Sequence, residues 1–389
     1  MSRILIDITR PLYRRLGARF PTGIDRVGLE YVRHYGPRAR AVLSLGPLAA
    51  ALSPSDSERA FDALLQGRDR SFPLAIELIA KASLWNWIMP GAGDSVLLNT
   101  SHQWLDYSTY AAQLRWLGVR PVFVICDLIP ITHPEYCRSG ERANHVARMR
   151  NAMAMARGII AISQDTLDKL QRFAGDNGLR CPPAVVAPLA PGLAVNAPGP
   201  RPVSQPYFVM VGTIEPRKNH LLLLHAWRRI VERMGDSAPR LVIVGRRGWE
   251  CENVVDLLER CEPLRGFVFE HNACGDEERA TLLHHAQALL MPSFAEGYGL
   301  PVAEAVAAGV PVIASDLAVF REVAGSVPEY IDPLDGLRWA ELIVEYAAAD
   351  GTRRRAQLER IAGFRARGWA QHFAAVDAFL ERMDAQPPA

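Results

Sequence analysis

Short runs of β-branched and other apolar residues alternate with helix-length segments along the chain. A first series of runs covers residues 4–8, 42–45, 95–98, 121–126 and 158–163, and a second covers residues 207–212, 241–245, 267–270, 288–291 and 311–314. Runs such as VFVIC and LVIVG are continuously apolar, which is typical of parallel strands covered on both faces. This alternation of strands and helices predicts doubly wound α/β units, and two series predict two domains.

Proline and glycine are concentrated between residues 182 and 206, in a stretch that includes PLAPGLAVNAPGPRP. Proline and glycine are unfavourable inside helices and central strands, so this stretch is predicted to be a linker. We therefore expect a first domain over residues 1–200, with the linker starting at about 182, and a second domain over residues 201–365. A cleft between two α/β domains is a natural ligand site, because the carboxyl ends of both sheets can face it.

The chain has 389 residues, of which 49% are hydrophobic, and its formal net charge is +2. These values exclude an intrinsically disordered protein, which needs low hydrophobicity and high net charge. The chain lacks a concentrated basic stripe, so we expect no nucleic-acid partner. Its lysines number only three, Lys81, Lys169 and Lys218, so a lysine within a motif is of particular interest.

The six cysteines are scattered, with no C-x-x-C pair, and are expected to be reduced thiols of a cytoplasmic protein. The sequence MSRILIDITR leads directly into a predicted strand and does not resemble a signal peptide. No run reaches the roughly 18 apolar residues of a membrane span, so we expect a soluble protein or one that rests on a membrane surface. Residues 73–90 are apolar and rich in tryptophan, which is compatible with a buried helix or with a membrane interface.

The segment PSFAEGYGLPVAEAVAAGVPVIASD, residues 292–316, follows an apolar strand. Its loop contains Gly297 and Gly299, which allow close approach of a ligand to the backbone. We expect the following helix to begin at Pro301, where the missing N–H has no cost. The segment therefore predicts a strand, a loop and a helix whose N-terminus is accessible to a ligand.

Two glutamates flank this predicted helix N-terminus, Glu296 in the loop and Glu304 in the first helical turn. The free N–H groups near Gly299 and Leu300 favour an anion such as a diphosphate. A carboxylate would repel that diphosphate unless it contacts hydroxyl groups instead. The pattern therefore indicates a ligand with both phosphates and sugar hydroxyls, although Glu304 could simply complement the helix dipole.

A second motif, VGTIEPRKNH, covers residues 211–220. Its strand ends at Gly212, and Arg217 and Lys218 are expected to begin the helix that follows. Adjacent cations at the carboxyl end of a strand can neutralise a diphosphate without a metal ion. Since cations in a first helical turn oppose the helix dipole, an anionic ligand explains them better than a solvated surface does. We find no D-x-D triplet and no histidine pair at the spacing of metal ligands, so no metal is expected.

The first domain offers weaker candidates. In the segment PTGIDR, Gly23 could bring backbone amides near a phosphate in a loop that follows a strand. Asp127 lies just past the end of the predicted strand VFVIC and would face the cleft, as a catalytic residue or as a turn residue. Ser163 could cap the next helix or contact the ligand, and capping is the interpretation we favour.

Together these segments resemble a retaining glycosyltransferase of the GT-B fold, specifically glycosyltransferase family 4, with two Rossmann-like domains. The spaced glutamates match the family's E-x7-E element, EPRKN matches its basic donor-phosphate element, and LVIVGRRGW, SDLAVFREVAG and YIDP match the segments around them. DLIPITHPE resembles bacterial mannosyltransferase-like members, in which a histidine often precedes the aspartate. Here that position is Cys126, so the catalytic role moves to Asp127.

The resemblance implies a role for each matching residue. Arg217 and Lys218 would bind the donor diphosphate and stabilise the leaving group, Glu296 would contact the transferred sugar, and Glu304 would contact the ribose. The expected substrate-binding residues are Thr22, Gly23, Ser163, Gly212, Gly297, Tyr298, Gly299, Leu300 and Glu304. The family's last helix usually returns to the first domain, as residues 366–389 would do here.

The resemblance also implies partners. The donor would be a nucleotide sugar, with GDP-mannose as our choice, and the acceptor a glycan or a polyprenyl-diphosphate-linked oligosaccharide. The enzyme would act in polysaccharide, O-antigen or capsule biosynthesis at the cytoplasmic face of the inner membrane, without a cofactor. The alternatives are another GT-B enzyme, such as a nucleotide-sugar epimerase or a sugar phosphorylase, and a noncatalytic sugar-nucleotide-binding component.

Overall fold

A computed structural model describes residues 3–385 of the chain, except 17–22, 46–47, 67–70, 86–94, 103, 117, 193–198, 273 and 349–350. The chain divides into two compact units. The first comprises Met1–Ile131, Gly140–Leu189 and Trp369–Ala389, and the second comprises Thr132–Ser139 and Ala190–Gly368. The second unit begins inside the predicted linker, and it includes a short segment that the sequence analysis assigned to the first domain.

The first unit is built on a seven-stranded sheet. Its strands are β1 (Ile4–Asp7), β2 (Ala39–Leu45), β3 (Leu48–Ala51), β4 (Val96–Asn99), β5 (Arg120–Ile125), β6 (Gly158–Ala161) and β7 (Ala184–Val186). Their spatial order is β3-β2-β1-β4-β5-β6-β7, and neighbours are parallel except for β2 and β3. The apolar runs are buried along β4 and β6, as expected for parallel strands covered on both faces.

Nine helices of the first unit are described. They are α1 (Thr9–Leu16), α2 (Gly23–Tyr35), α3 (Pro54–Gln66), α4 (Ser71–Trp85), α5 (Ser108–Trp116), α6 (Ile129–Thr132), α7 (Glu141–Met155), α8 (Gln164–Asp176) and α16 (Trp369–Ala385), which follows the helices of the second unit in the chain. In α4, Ala75 and Leu78 are buried and Ile76 is 52% exposed. The rest of the apolar segment 73–90, from residue 86 on, lies outside the described residues.

The second unit contains a six-stranded sheet in which every pair of neighbours is parallel. Its strands are β8 (Tyr207–Val211), β9 (Arg240–Val244), β10 (Val268–His271), β11 (Leu289–Met291), β12 (Val312–Ser315) and β13 (Glu329–Ile331), in the spatial order β10-β9-β8-β11-β12-β13. Its helices are α9 (His220–Met234), α10 (Glu252–Arg260), α11 (Asp276–His284), α12 (Leu300–Ala307), α13 (Ala318–Ala324), α14 (Gly336–Ala347) and α15 (Thr352–Ala362).

The strand order of the second sheet places β8 beside β11. From β8 the chain adds β9 and β10 on one side, and then returns to add β11, β12 and β13 on the other side. The loops that follow β8 and β11 therefore leave the sheet at a topological switch point, where open α/β sheets bind their ligands. Both sequence motifs of the second domain lie in these two loops.

The helix α16 packs within the first unit, although the whole second unit precedes it in the chain. The two ring nitrogens of His372 lie 3.0 Å from the hydroxyl of Tyr31 and 3.0 Å from the carbonyl oxygen of Ala187. The hydroxyl of Tyr35 donates to Asp377 at 2.9 Å. Burial lowers the pKa of His372 to about 4, so the ring is neutral near pH 7.

Each of the ten predicted runs overlaps a strand. The structure adds β3, β7 and β13, which all lie at sheet edges and have three or four residues. Their apolar runs are short and, in β3, made mostly of alanine, which does not distinguish a strand from a helix or a loop in the sequence. Among the described residues, no helix combines the length and apolar character needed to cross a membrane.

Candidate active site in the second domain

The loop after β8 holds Arg217 and Lys218 in a single 3-10 turn, Pro216–Lys218. The prediction that this pair begins the next helix is wrong, because α9 starts only at His220. Asn219 separates the two elements with a left-handed backbone (φ 60°), which a helix cannot accommodate. The cations are therefore fixed by a turn and do not lie in the first turn of α9.

The carboxylate of Glu296, in the loop after β11, meets both cations. The Nζ of Lys218 donates to Oε1 at 2.5 Å, and an Nη1–H of Arg217 donates to Oε2 at 2.8 Å. The hydroxyl of Ser293 also donates to Oε1, at 2.8 Å. Lys218 is 6% exposed and Glu296 is 7% exposed, so these contacts are shielded from water. The two motifs that the sequence placed at one site are thus in direct contact.

The charges of this cluster determine the ionisation of Glu296. Burial by itself would raise the pKa of Glu296, but the positive charges of Arg217 and Lys218 and the hydrogen bonds from Lys218 and Ser293 lower it to about 2. Glu296 is therefore ionised throughout the neutral range. Burial lowers the pKa of Lys218, and the charge of Glu296 counteracts that effect.

Glu215 supplies a second buried carboxylate that the sequence analysis did not single out. Its Oε1 lies 2.6 Å from the Nε of Arg217, and the residue is 4% exposed. Burial raises the pKa of Glu215, against the opposing charges of Arg217 and Lys218. Arg217 thus lies between two carboxylates, and the position of Glu215 within EPRKN was the signal that could have identified it.

The backbone at Gly212 accommodates the side chain of Lys218. Gly212 has φ 151°, and a Cβ atom there would lie 3.2 Å from the Cε of Lys218. A larger residue would push the lysine stem away from this position. The absence of a side chain at Gly212 therefore leaves the space that the Lys218 stem occupies.

The helix α12 begins at Leu300, one residue before the predicted Pro301, and Gly299 precedes it with φ 97°. A Cβ atom on Gly299 would lie 2.6 Å from the Cε1 of Phe320, so the position requires glycine for space as well as for conformation. The prediction that Glu304 lies in the first turn is wrong: four residues of the helix precede it. Glu304 is 2% exposed, and its Oε1 lies 3.5 Å from the Nη2 of Arg279 in α11.

The remaining predicted residues of this loop lie between Glu296 and the helix. Tyr298 is 6% exposed, and burial raises its pKa to about 12, so its hydroxyl remains protonated near neutral pH. Gly297 and Leu300 are half-buried. The second unit therefore brings Gly212, Arg217, Lys218 and Glu296 into contact, and the loop that carries Glu296 continues through the predicted residues Gly297, Tyr298 and Gly299 into α12, which holds Leu300 and Glu304.

The other predicted site residues belong to the first unit. Thr22 lies outside the described residues. Gly23 is exposed and is the first residue of α2, and the element before its segment is α1. The prediction that Gly23 lies in a loop between a strand and a helix is therefore wrong: Gly23 belongs to α2, and the element that follows β1 is the helix α1.

Asp127 and Ser163 both make local hydrogen bonds. The Oδ1 of Asp127 accepts from the backbone N–H of Ile129 at 3.0 Å, which is a turn contact. Ser163 is fully buried, and its Oγ accepts from the N–H of Thr166 at 3.1 Å as the N-cap of α8. Desolvation raises the pKa of the Cys126 thiol to about 12, so it is protonated near neutral pH.

A polar network that sequence reasoning missed lies at the carboxyl ends of β1 and β4. Asp7 is 2% exposed and accepts from the backbone N–H of Thr9 at 2.9 Å and from the hydroxyl of Ser44 at 3.2 Å. The side-chain oxygen of Asn99 accepts from the N–H of Ser101 at 3.0 Å. In the sequence these residues look like ordinary ends of strands. They lie close together because β2, β1 and β4 are neighbours in the sheet.

Within the described part of the chain, no three His, Cys, Asp or Glu side chains are grouped in a way that could hold a metal ion. All six cysteines are free thiols. The chemical resources of the site in the second domain are therefore two fixed cations, two buried carboxylates and the start of α12.

Comparison with known proteins finds relatives of the domain that carries this site. Residues 196–327 match the family "Glycosyl transferases group 1". The serotype-specific mannosyltransferase WbdA of Escherichia coli is 28% identical over 250 residues, which cover 59% of this chain and 30% of that protein. The O-antigen chain mannosyltransferase B of E. coli is 37% identical over 131 residues, 34% of each chain. The chain thus spans about a third of the length of these curated relatives.

A solved structure shows the same fold over the whole chain. Anabaena Alr3699/HepE, crystallised in complex with UDP, aligns with a TM-score of 0.65 at 15% sequence identity and covers 99% of this chain and 100% of its own. The predicted GT-B fold, with two parallel-sheet α/β domains, is confirmed. The predicted resemblance is confirmed as well: residues 196–327 match the glycosyl transferases group 1 family, and the matching relatives include bacterial mannosyltransferases.

Proposed function

We propose that the chain is a retaining glycosyltransferase that moves a mannosyl group from GDP-mannose to a glycan or a polyprenyl-diphosphate-linked oligosaccharide. The observation that carries this proposal is the contact of Lys218 and Arg217 with Glu296 inside a group 1 domain. The choice of mannose and of a role in polysaccharide, O-antigen or capsule biosynthesis rests on the names of the mannosyltransferase relatives.

Arg217 and Lys218 bind the donor diphosphate in this proposal. As the bond from the sugar carbon C1 to the diphosphate oxygen breaks, negative charge grows on the departing diphosphate. Cations that are already fixed by Glu296 and Glu215 stabilise that charge without reorganising. The acceptor hydroxyl then forms the new bond to C1 from the same face and passes its proton to the departing diphosphate oxygen, so the configuration is retained.

The carboxylates act on hydroxyl groups. Glu296 contacts the transferred sugar, since its low pKa keeps it an acceptor of hydrogen bonds. Glu304 contacts the ribose, and the backbone amides at Gly299 and Leu300 contact the phosphates, as a helix N-terminus favours. These assignments follow from the resemblance to glycosyltransferase family 4 and from the position of these residues in the loop after β11 and in α12.

Asp127 is the proposed catalytic residue of the first domain, and Gly23 and Ser163 are proposed ligand contacts there. Asp127→Asn is an informative variant, because an amide oxygen can still accept the turn hydrogen bond from Ile129 while the charge is lost. We expect this variant to fold normally and to lose turnover. Normal turnover would remove Asp127 from the mechanism.

The main test of the proposal is turnover of Lys218→Ala with GDP-mannose and an oligosaccharide acceptor. We expect kcat/KM to fall on the order of 100- to 1000-fold, since one of the two fixed cations is lost. Lys169→Ala is the matched control, because Lys169 forms a half-buried ion pair with Asp165 one turn away in α8, a helix of the first unit. Full turnover of Lys218→Ala would contradict the proposal.

A thermal-shift screen with GDP-, UDP- and dTDP-sugars identifies the donor. A ligand that binds only the native state raises Tm, and the GDP-sugar should give the largest rise. Incubation with the donor alone separates transfer from epimerisation: conversion to an epimer without acceptor would favour the epimerase alternative.

We also propose that the reaction needs no metal and that the protein acts in the cytoplasm, in peripheral contact with the inner membrane. Two cations at the diphosphate site can supply the charge that a divalent ion supplies elsewhere. Turnover should therefore be unchanged by excess EDTA. Loss of turnover in EDTA, with recovery on adding Mg²⁺ or Mn²⁺, would refute metal independence.

A further inference from the structure

Asn219 links three loops through one side-chain amide. Its Nδ2 group donates to the carbonyl oxygen of Pro292 at 3.2 Å and to that of Pro333 at 2.9 Å. Pro292 directly follows β11, and Pro333 lies just past the end of β13. The residue itself follows Lys218 in the loop after β8, so the loops at the carboxyl ends of three strands meet at this amide.

The same loops share further contacts close to the charged cluster. The backbone N–H of Phe294 donates to the carbonyl oxygen of Arg217 at 2.8 Å, and the Nη1 group of Arg217 donates to the carbonyl oxygen of Ala295 at 3.0 Å. Asn219 is 9% exposed, so its hydrogen bonds do not compete with water. The position of Ser293 and Glu296 relative to Lys218 therefore depends on how firmly these loops are joined.

Asparagine suits this position for two independent reasons. The backbone is left-handed (φ 60°, ψ 39°), a conformation that asparagine, aspartate and glycine adopt at lower cost than other residues. The two carbonyl acceptors require two N–H donors on a short side chain. Aspartate meets the first requirement but supplies no donor, and glycine has no side chain.

We propose that Asn219 is a positioning residue that holds the Glu296 loop against the cationic turn. This proposal rests on the proposed function of the site, since it assigns a catalytic consequence to the distance between Lys218 and Glu296. Asn219 acts on the reaction through these two residues and does not itself contact the substrate.

Gln357 provides a matched control in the same domain. Its Nε2 group also bridges two carbonyl oxygens, those of Val312 at 2.7 Å and Val327 at 2.9 Å. Val312 is the first residue of β12, and Val327 precedes β13, so this bridge lies at the amino ends of the strands, at the opposite edge of the sheet from Asn219. Asn219→Asp and Gln357→Glu each replace an amide with a carboxyl group of similar size.

Both variants should lower the urea midpoint, because each removes two hydrogen bonds from a buried side chain to backbone carbonyls. Only Asn219→Asp should also lower kcat, on the order of 10- to 100-fold, as expected when catalytic groups are displaced by a fraction of an ångström to an ångström. Gln357→Glu should keep kcat within about twofold. If Asn219→Asp loses stability but keeps both kcat and the donor KM, the residue is merely structural and the proposal is wrong.

Asn219→Gly keeps the left-handed turn and removes only the amide. We expect it to behave as Asn219→Asp does, and a glycine variant with normal kcat would overturn the proposal. If the added carboxylate of Asn219→Asp prevents folding, Asn219→Gly still tests the proposal.

Hydrogen exchange gives a readout that does not depend on turnover. The amide of Phe294 should exchange faster in Asn219→Gly than in the wild type, and at the wild-type rate in Gln357→Glu. Unchanged exchange over residues 292–296 would refute the positioning role even if the chain is a glycosyltransferase. Faster exchange in a protein that transfers no sugar would support the link between the loops and count against the proposed function alone.

Discussion

Replacing Glu296 with glutamine removes the anion that Arg217 and Lys218 share and keeps the size of the side chain. In the folded protein the pKa of Glu296 is lowered to about 2, against 4.5 for the isolated group. At ~1.36 kcal/mol for each pKa unit, the charged state contributes about 3 kcal/mol to stability at neutral pH. This figure agrees with the roughly 3–5 kcal/mol that is usual when one partner of a buried ion pair is removed.

The sign of the pH dependence follows from the lowered pKa. The stabilisation is complete above the unfolded-state pKa near 4.5 and is lost as the pH falls towards 2. The difference in the free energy of unfolding between wild type and Glu296→Gln should therefore be about 3 kcal/mol at neutral pH. It should shrink steadily below about pH 4.5.

Urea unfolding at neutral pH and at about pH 3.5 measures this difference. Glu232→Gln is the control, because Glu232 forms an exposed ion pair with Arg228 in the same domain, at 3.0 Å, and such pairs contribute less than about 1 kcal/mol. A cost below about 1 kcal/mol for Glu296→Gln, or one that does not fall in acid, would refute the assignment of a buried, strongly paired carboxylate.

Further substitutions test individual positions. Gly299→Ala should lower the free energy of unfolding by about 2–4 kcal/mol and abolish most of the turnover, because the added methyl group would clash with Phe320 and the backbone at this position is left-handed. The urea midpoint and kcat measure these two effects, and an unchanged midpoint would contradict the prediction. Ser163→Ala should cost about 1 kcal/mol through loss of the α8 cap. If Ser163→Ala also raises the donor KM, the residue contacts the ligand as well. His372→Leu should lower the midpoint by loss of two buried hydrogen bonds and leave the donor affinity of the second domain unchanged, as binding calorimetry with GDP can show.

The sequence was sufficient to place Arg217, Lys218 and Glu296 at one site. Each residue follows a run of buried strand, and loops at the carboxyl ends of parallel strands meet at one edge of a sheet. What the sequence could not supply was the strand order that puts β8 beside β11. The direct contact between the cations and the carboxylate depends on that order, because the two loops lie about eighty residues apart in the chain.

The errors have equally local causes. Pro216 and the left-handed Asn219 enclose a 3-10 turn, so the cations precede α9 where the sequence pattern suggested its first turn. Glu304 lies one residue deeper than predicted because α12 starts at Leu300 and not at Pro301, so it is the fifth residue of the helix and belongs to its second turn. Glu215 and Asn219 both lie within EPRKN, but their contacts with Arg217 and with the carbonyl of Pro333 are visible only in three dimensions.

The packing of α16 has a consequence for biosynthesis. Because α16 belongs to the first unit, the ribosome must finish the entire second unit before the first can be completed. Until α16 has been made and His372 contacts Tyr31, the first unit is incomplete and exposes apolar surface. The second unit can fold as an independent unit during that time. Chains stalled before Trp369 are therefore expected to recruit chaperones through the unit made first, not through the one made last.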